Sequence, residues 1–432
     1  MGTKITRIAE ISKANPKEIF TSIYHLINKE LLEECHKELD GKKAIGLDGV
    51  TKEEYEANLE ENITKLETKL KNKAYIPTPA KRVYIPKASG KMRGLAIAIY
   101  EDKIVQLALK KVIEAIYEPK FLNCMYGFRP NKSCHDALKD LNWNIEKRKV
   151  SYIIDADIKG FFDNVDHEWL IKCLEQHIKD PNIIRLVKRF LKAGIIEEGK
   201  YHTATEGTPQ GSILSPVLAN IYMHYVLALW FEKVIKKDFK GECYITIYAD
   251  DYICCFQHRY EAELFFNQLL PERLKKFNLE LEPDKTRLIE FGRFAQENCR
   301  NGKPNTFDFL GFTHYCSKSR EGKFRVKRKT SRKKFTAKVK EMKIWIKENR
   351  HTKIEIMVKK INEKLRGHYR YFGVTDNIRM MENYLYETRR ILHKWLNRRS
   401  NRTSYTFDTF AQMIETAYPL LLPKIYVNIY DI

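Results

Sequence analysis

Two adjacent aspartates between two apolar, β-prone runs constrain the fold of this chain more than any other feature. Asp250 and Asp251 stand between residues 244–247 and 252–256, which are rich in aromatic and β-branched residues and contain neither glycine nor proline. The pattern predicts two strands joined by a tight antiparallel hairpin, with both carboxylates at the turn. Adjacent carboxylates repel each other, and a hard cation such as Mg²⁺ relieves the repulsion by accepting oxygen ligands from both. The alternative is a solvated acidic turn.

A second acidic strand offers a partner for this hairpin. Residues 152–158 have strand character, and side chains alternate along a strand, so Asp155 and Asp157 share one face. Phosphoryl transfer by two metals needs carboxylates from separate strands, which hold ions roughly 4 Å apart. Asp157 and the hairpin supply that set. The alternative of a helix cap or a solvated charge is stronger for Asp155, Asp163 and Asp166.

The net charge of +22 is unevenly placed along the chain. From residue 311 onward there are 29 Lys and Arg against 11 Asp and Glu, and residues 318–340 hold twelve basic residues and one acidic residue. Such a segment neutralises phosphates and releases counterions, which predicts salt-sensitive binding of a nucleic acid with little sequence preference. The alternative is a solvated basic face. The residues predicted to make these contacts are Lys327, Arg328, Lys329, Arg332, Lys333 and Lys334.

Composition predicts a soluble, cytoplasmic protein of two or three subdomains. No apolar run approaches the roughly 20 residues of a membrane helix. The N-terminus lacks the apolar core of a secretory signal. Nine cysteines, an odd number without CxxC pairs, favour reduced thiols over a disulfide framework or a thiolate zinc site.

Three further motifs carry candidate site residues. Lys87 and Arg93 flank the turn of a basic hairpin, where both can reach one phosphate group; the alternative is protection of a sheet edge. Gln210 lies in a glycine-rich loop that lets backbone approach a ligand, and we expect it to contact a base or sugar edge. Lys285 is a candidate general acid for a pyrophosphate leaving group, or else an exposed salt-bridging lysine.

Helical periodicity accounts for most of the remaining chain. The first 75 residues are predicted to be helical, with Ile19, Ile23, Ile27 and Leu31 at helical spacing, and residues 353–372 form an amphipathic helix. Acidic strands separated by helices predict a small antiparallel sheet backed by helices, as in ferredoxin-like folds. The fold class is therefore α+β.

Taken in order, the motifs resemble those of reverse transcriptases encoded by bacterial group II introns. The resemblance covers most of the chain, and eight motifs carry it: residues 85–87 with Arg93, 126–130, 157–163, 207–211, 248–251, Lys285, 309–312 and 365–372. It implies a right-hand polymerase with fingers, a ferredoxin-like antiparallel palm sheet and a helical thumb. The expected segments are 1–75 (N-terminal helical extension and start of the fingers), 76–300 (fingers and palm), 301–383 (basic connector and maturase-like thumb) and 384–432 (short basic segment).

The resemblance also implies roles for individual residues. Asp157, Asp250 and Asp251 match the catalytic carboxylates that hold two Mg²⁺ ions, for which Mn²⁺ is a substitute. Lys87 and Arg93 match residues that grip the incoming triphosphate, and Phe162 matches the bulky gate that excludes a ribose 2′-hydroxyl. Gln210 lies near the primer terminus, and Arg129 and Arg366 contact nucleic acid.

The implied reaction is attack of a primer 3′-oxygen on the α-phosphorus of a dNTP. The implied partners are an RNA template, a DNA or RNA primer, dNTPs and, for a maturase, the cognate intron RNA. Nothing after Phe372 resembles the metal spacing of an HNH endonuclease, so we expect that nuclease to be lacking. Two alternatives stay open: a host-adopted enzyme of this type in DNA repair or phage defence, and an RNA-binding splicing factor without polymerase activity.

Overall fold

The computed structural model describes residues 3–86, 92–299, 302–399 and 404–431. The chain divides into two compact units, the first made of residues 1–133, 154–254 and 260–287 and the second of residues 134–153, 255–259 and 288–432. Helices and strands are both abundant, which confirms the α+β prediction. Within the described ranges, no helix combines the length and the apolar character needed to cross a membrane.

The first unit begins with helices α1 (Thr3–Ala14), α2 (Lys29–Glu38), α3 (Lys52–Glu56) and α4 (Leu59–Lys71). The predicted continuous helical stripe is wrong for residues 15–28, where only a short 3₁₀ turn, Tyr24–Leu26, is helical. The physical reason is a tertiary contact: the Asp180 carboxylate accepts hydrogen bonds from the Ile23 and Tyr24 amides at 2.7 and 2.8 Å. These amides are therefore not available to a helix. Ile23 and Ile27 are buried all the same, and Ile19 is exposed.

A four-stranded sheet with the order β2-β1-β4-β5 follows. Strands β1 (Ala80–Pro86) and β2 (Met92–Ile97) pair antiparallel from Lys81↔Ile97 to Pro86↔Met92, which confirms the two predicted strands. The predicted turn between them lies outside the described residues. Strand β4 (Ile195–Glu197) runs parallel to β1 and pairs antiparallel with β5 (Lys200–His202).

A second four-stranded sheet has the order β6-β7-β3-β8. Its strands are β3 (Tyr152–Asp157), β6 (Cys243–Tyr248), β7 (Asp251–Phe256) and β8 (Arg287–Glu290), so both predicted acidic strands and the hairpin are confirmed. Residues 154–157 and 243–254 of this sheet lie in the first unit. Side chains of β7 from Tyr252 to Phe256 are all buried.

The first unit also contains helices that follow the basic hairpin in the chain. They are α5 (Tyr100–Tyr117), α7 (His167–Leu174), α8 (Pro181–Lys192), α9 (Ser215–Met223), α10 (Lys236–Asp238), α11 (Arg259–Leu264) and α12 (Leu270–Lys275). Helix α9 packs against α5 and α7, and its residues Val217 to Met223 are all buried. Pro216 lies in the first turn of α9, where its missing N–H has no helical acceptor to lose.

The second unit combines α6 (Cys134–Lys147) with a three-stranded sheet in the order β11-β10-β9 and the C-terminal helices. The strands are β9 (Thr306–Phe309), β10 (Phe312–Lys318) and β11 (Phe324–Thr330). The helices are α13 (Ala295–Asn298), α14 (Arg332–Glu348), α15 (Ile354–Phe372), α16 (Ile378–Leu396) and α17 (Phe407–Thr416). Helix α15 confirms the predicted amphipathic helix, with Ile361, Leu365 and Phe372 on its buried face.

Side chains occupy the outer edge of β11. The Glu146 carboxylate accepts from the Val326 amide at 2.6 Å, and the Asn377 side-chain oxygen accepts from the Thr330 amide at 2.7 Å. The Tyr430 hydroxyl donates to the Val326 carbonyl at 3.1 Å. Backbone groups of an edge strand are open to pairing with another chain, and these three side chains satisfy both backbone groups of Val326 and the Thr330 amide.

Candidate active site

The turn of the acidic hairpin is held from outside by residues 124–130. Ala249 has a left-handed backbone, with φ of 60°, a conformation that a residue with a Cβ rarely adopts. The Tyr126 amide donates to the Ile247 carbonyl, and the Ile247 amide donates to the Cys124 carbonyl, both at 2.8 Å. Gly127 lies so close to the turn that an added Cβ would be 2.3 Å from the Ala249 nitrogen. Segment 124–130 therefore holds the turn of the acidic hairpin by two backbone hydrogen bonds and by close packing of Gly127.

Asn220 holds the segment 124–130, and the sequence patterns did not predict this role. Its side-chain amide, buried within α9, donates to the Gly127 carbonyl at 2.8 Å. A polar residue among the apolar positions of a buried helix needs a hydrogen-bond partner, and that mismatch is the sequence signal that identifies such a residue.

The structure brings Asp157 and Asp250 within electrostatic reach of each other. Asp157 ends β3, which neighbours β7, and Asp250 lies at the turn before β7. Burial raises the pKa of the Asp250 carboxyl above its ordinary value, and the Asp157 charge raises it further. Arg93 and Lys285 act on the same carboxyl in the opposite direction. Four of the predicted site residues therefore share one electrostatic environment.

Lys285 is the counter-ion of Asp157. Its Nζ makes an ion pair and hydrogen bond with Oδ2 of Asp157, and this contact raises the pKa of the Lys285 ammonium. A raised pKa keeps the lysine charged and makes it a weaker proton donor. Its part as a general acid stays a prediction, while its electrostatic contact with the carboxylates is observed.

This carboxylate pair fits a divalent cation. Two carboxylates whose mutual charge raises a pKa gain most from a hard cation with oxygen ligands, and the Lys285 ammonium lies where positive charge is needed. Among residues 3–86, 92–299, 302–399 and 404–431, no group of three or more His, Cys, Asp or Glu side chains is arranged to hold a metal ion. Asp157 acts electrostatically on Asp250, and binding of a metal ion by this pair stays a prediction. Asp251, the first residue of β7, stays a predicted third ligand.

Phe162 follows the first acidic strand on a fixed backbone. It lies in the 3₁₀ turn Phe161–Asp163, which Gly160 enters with a left-handed φ of 54°. The Phe162 carbonyl accepts from the Thr208 amide at 2.7 Å, so the glycine-rich loop holds the turn.

Gln210 connects two other elements near this turn. The side-chain amide of Gln210 donates to both Asp163 carboxylate oxygens at 3.3 Å, and the backbone carbonyl of Gln210 accepts from the Ala96 amide of β2 at 2.6 Å. These contacts join the glycine-rich loop to the basic hairpin that carries Arg93. Contact of Gln210 with a base or sugar stays a prediction.

Lys87, the second residue predicted to grip a triphosphate, lies outside the described residues. Arg93, its predicted companion, is on β2 and exposed.

Two basic residues predicted to bind nucleic acid are structural instead. Arg129 has a side chain only 5% exposed, and it pairs with Glu118 at 2.7 Å while donating to the Leu122 and Met125 carbonyls at 2.8 Å. Arg328 is 0% exposed, donates to the Asn142 side chain and lies 5.3 Å from the ring of Tyr430. The prediction of nucleic-acid contact is wrong for both, because neither guanidinium reaches the surface.

The remaining basic residues predicted to bind nucleic acid are accessible. Strand alternation buries Val326, Arg328 and Thr330 of β11 and leaves the intervening lysines on the other face. Lys327 is partly exposed, and the residues that are exposed are Lys329, Arg332, Lys333, Lys334 and Arg366.

Comparison with known protein families finds two matches along this chain. Residues 85–314 match the family described as reverse transcriptase (RNA-dependent DNA polymerase), and residues 332–412 match the maturase-specific domain of group II introns.

Similar proteins include the group II intron-encoded protein LtrA of Lactococcus lactis subsp. cremoris, 40% identical over 222 residues, which are 51% of this chain and 37% of LtrA. An uncharacterized 91 kDa protein in the cob intron of Schizosaccharomyces pombe is 37% identical over 50% of this chain and 26% of its own length. Protein YkfC of Escherichia coli K12 is 37% identical over 43% of this chain and 49% of its own length. The matched part of this chain thus spans half or less of each relative. The family match alone extends over more than half of the chain, which therefore belongs to the reverse transcriptase family, in its group II intron form with a maturase-specific domain.

Proposed function

We propose that this protein is an RNA-directed DNA polymerase that adds dNTPs to a primer 3′-hydroxyl. The observation that carries the proposal is the convergence of Asp157 and Asp250 with Arg93 and Lys285 in a chain of the reverse transcriptase family. Carboxylates from two strands with cationic groups beside them form the side-chain set that phosphoryl transfer requires.

Asp157 and Asp250 would hold divalent cations, Mg²⁺ or in its place Mn²⁺, with Asp251 as the third ligand. The bound ions supply charge stabilisation for the attacking and leaving oxygens. Arg93 grips the triphosphate through its planar guanidinium, because two parallel N–H groups match two phosphate oxygens. Lys285 keeps positive charge beside the carboxylates. Phe162 excludes the ribose 2′-hydroxyl.

We further propose that the second unit binds intron RNA as a maturase. The match of residues 332–412 to the maturase-specific domain supports this role. Exposed cations on β11, α14 and α15 supply affinity for a phosphate backbone.

The protein acts in the cytoplasm, consistent with the odd number of cysteines.

Primer extension tests the polymerase proposal. We expect the wild-type protein with Mg²⁺ and dNTPs to extend a DNA primer annealed to an RNA template. Asp250→Asn removes the charge at constant shape and should abolish extension while RNA binding stays within a few fold. Asp238→Asn is the matched control, because Asp238 is exposed on α10 and belongs to no site. Extension by Asp250→Asn at the wild-type rate would refute the assignment.

A splicing assay separates the two proposed activities. We expect Asp250→Asn to support splicing of a group II intron RNA as the wild type does, since the carboxylates serve only nucleotide addition. If the wild-type protein supports splicing but extends no primer, the chain is an RNA-binding splicing factor.

A further inference from the structure

Phe128 has an unusual backbone conformation for an aromatic residue. It follows Gly127 in the turn that holds the acidic hairpin, and its φ of 57° lies in the left-handed region. A side chain with a Cβ is disfavoured there, and such residues concentrate at functional sites. Nearly half of the residue, 48%, is exposed. Burial of the ring in a core therefore does not account for the strained backbone.

The surroundings impose this conformation. Gly127 on one side is pressed against the backbone of Ala249, and its carbonyl is held by Asn220. Arg129 on the other side is locked by Glu118 and by the carbonyls of Leu122 and Met125. Phe128 is thus a projecting ring between two fixed residues.

The Phe128 ring meets Phe162. The two ring centroids are 6.2 Å apart with an interplanar angle of 80°, the edge-to-face geometry that aromatic pairs prefer. Phe162 also contacts the buried ring of Phe161, at 5.4 Å and 74°. The proposed sugar gate therefore has a buried support in Phe161 and an exposed support in Phe128.

We propose that Phe128 is a positioning residue that fixes the Phe162 ring and so sets the selection of deoxyribonucleotides over ribonucleotides. This inference rests on the proposed polymerase function. Because the same turn is hydrogen-bonded to the Asp250 hairpin, Phe128 also fixes the gate relative to a catalytic carboxylate. Without the Phe128 edge, the Phe162 ring turns away more easily and leaves room for a 2′-hydroxyl.

Single-nucleotide addition on an RNA template tests the proposal, with the ratio of kcat/KM for a dNTP and its matching rNTP as the readout. We expect Phe128→Leu to lower this ratio about 3- to 10-fold, the range that the loss of one aromatic pair produces. The change should come mainly from a higher kcat/KM for the rNTP. Phe294→Leu, the same substitution at another exposed phenylalanine, should leave the ratio unchanged.

Phe128→Gly guards against a folding artefact. Glycine adopts a φ of 57° without strain, so this variant should melt at the wild-type temperature or above and still lose discrimination. A double-mutant cycle with Phe162→Val gives the decisive comparison. If Phe128 acts through the gate, adding Phe128→Leu to Phe162→Val should change the ratio less than 2-fold.

The outcomes are distinguishable. A wild-type protein that adds no dNTP overturns the proposed function and this inference together. A wild-type protein that adds dNTPs, with Phe128→Leu and Phe128→Gly discriminating equally well, overturns this inference alone. Equal effects of Phe128→Leu with and without Phe162→Val would also overturn it, because the two residues would then act independently.

Discussion

Replacing Arg129 with alanine tests whether this arginine holds the fold or binds nucleic acid. The substitution removes a guanidinium that is 5% exposed and leaves Glu118, which is 25% exposed, without its counter-ion. It also removes the guanidinium donor of the Met125 carbonyl and one of the two donors of the Leu122 carbonyl, which keeps the Met125 amide. Breaking a buried ion pair costs roughly 3–5 kcal/mol. Because Glu118 can turn towards water, we expect the lower end, about 3 kcal/mol.

Hydrogen exchange measures this cost locally. A loss of about 3 kcal/mol corresponds to a roughly 100-fold lower protection factor for the segment around residues 118–130. Urea unfolding followed by tryptophan fluorescence should show the same destabilisation. Lys132→Ala is the matched control, since Lys132 is an exposed basic residue in the same turn and should change neither measurement.

Nucleic-acid binding supplies the opposing result. At a temperature where both proteins are folded, we expect Arg129→Ala to bind an RNA–DNA duplex within 2-fold of the wild type. Tenfold weaker binding with unchanged exchange and unchanged unfolding would refute the structural assignment.

Three other perturbations test separate parts of the structure. Burial and the Asp157 charge raise the pKa of Asp250, so the stability that this carboxyl contributes is present at low pH and lost as pH rises through its folded-state pKa. Asp250→Asn should therefore stabilise the metal-free protein at pH 7. Identical melting curves of the wild type and Asp250→Asn from pH 4 to 8 would contradict this. Gly367 is exposed within α15, and a Cβ added there meets no atom within 4 Å. Gly367→Ala should therefore raise the free energy of unfolding by about 0.5–1 kcal/mol. A lower free energy of unfolding in urea would contradict this. Neutralising four exposed cations should reduce the slope of log K against log salt for an RNA–DNA duplex by about 3.6, as read by fluorescence anisotropy. An unchanged slope would exclude these residues from the interface: Lys329, Arg332, Lys333 and Lys334.

Local patterns in the sequence predicted the elements that carry the site. Runs rich in aromatic and β-branched residues around Asp157 and Asp250 predicted β3, β6 and β7, and a 3.6-residue period predicted α15. These predictions succeed because strand and helix periodicity follow from neighbouring residues and from which face is buried.

The same patterns did not predict which side chains are buried or which distant residues they contact. Arg328 stands among exposed lysines in a basic run, and its partner Asn142 lies 186 residues earlier in the chain. Residues 15–28 have helical spacing, but Asp180 takes two of their amides. Residues 134–153 belong to the same compact unit as residues 288–432. Division of the chain into consecutive segments cannot predict such a unit, because its parts are far apart in sequence.

The order of residues thus specified the strands, the acidic turn and the excess of positive charge, since each depends on neighbours a few positions away. Tertiary folding decided which arginines are buried, which carboxylates interact electrostatically and which rings contact Phe162. Burial, charge pairing and ring packing act between residues far apart in sequence, and their energies exist only once those residues are in contact.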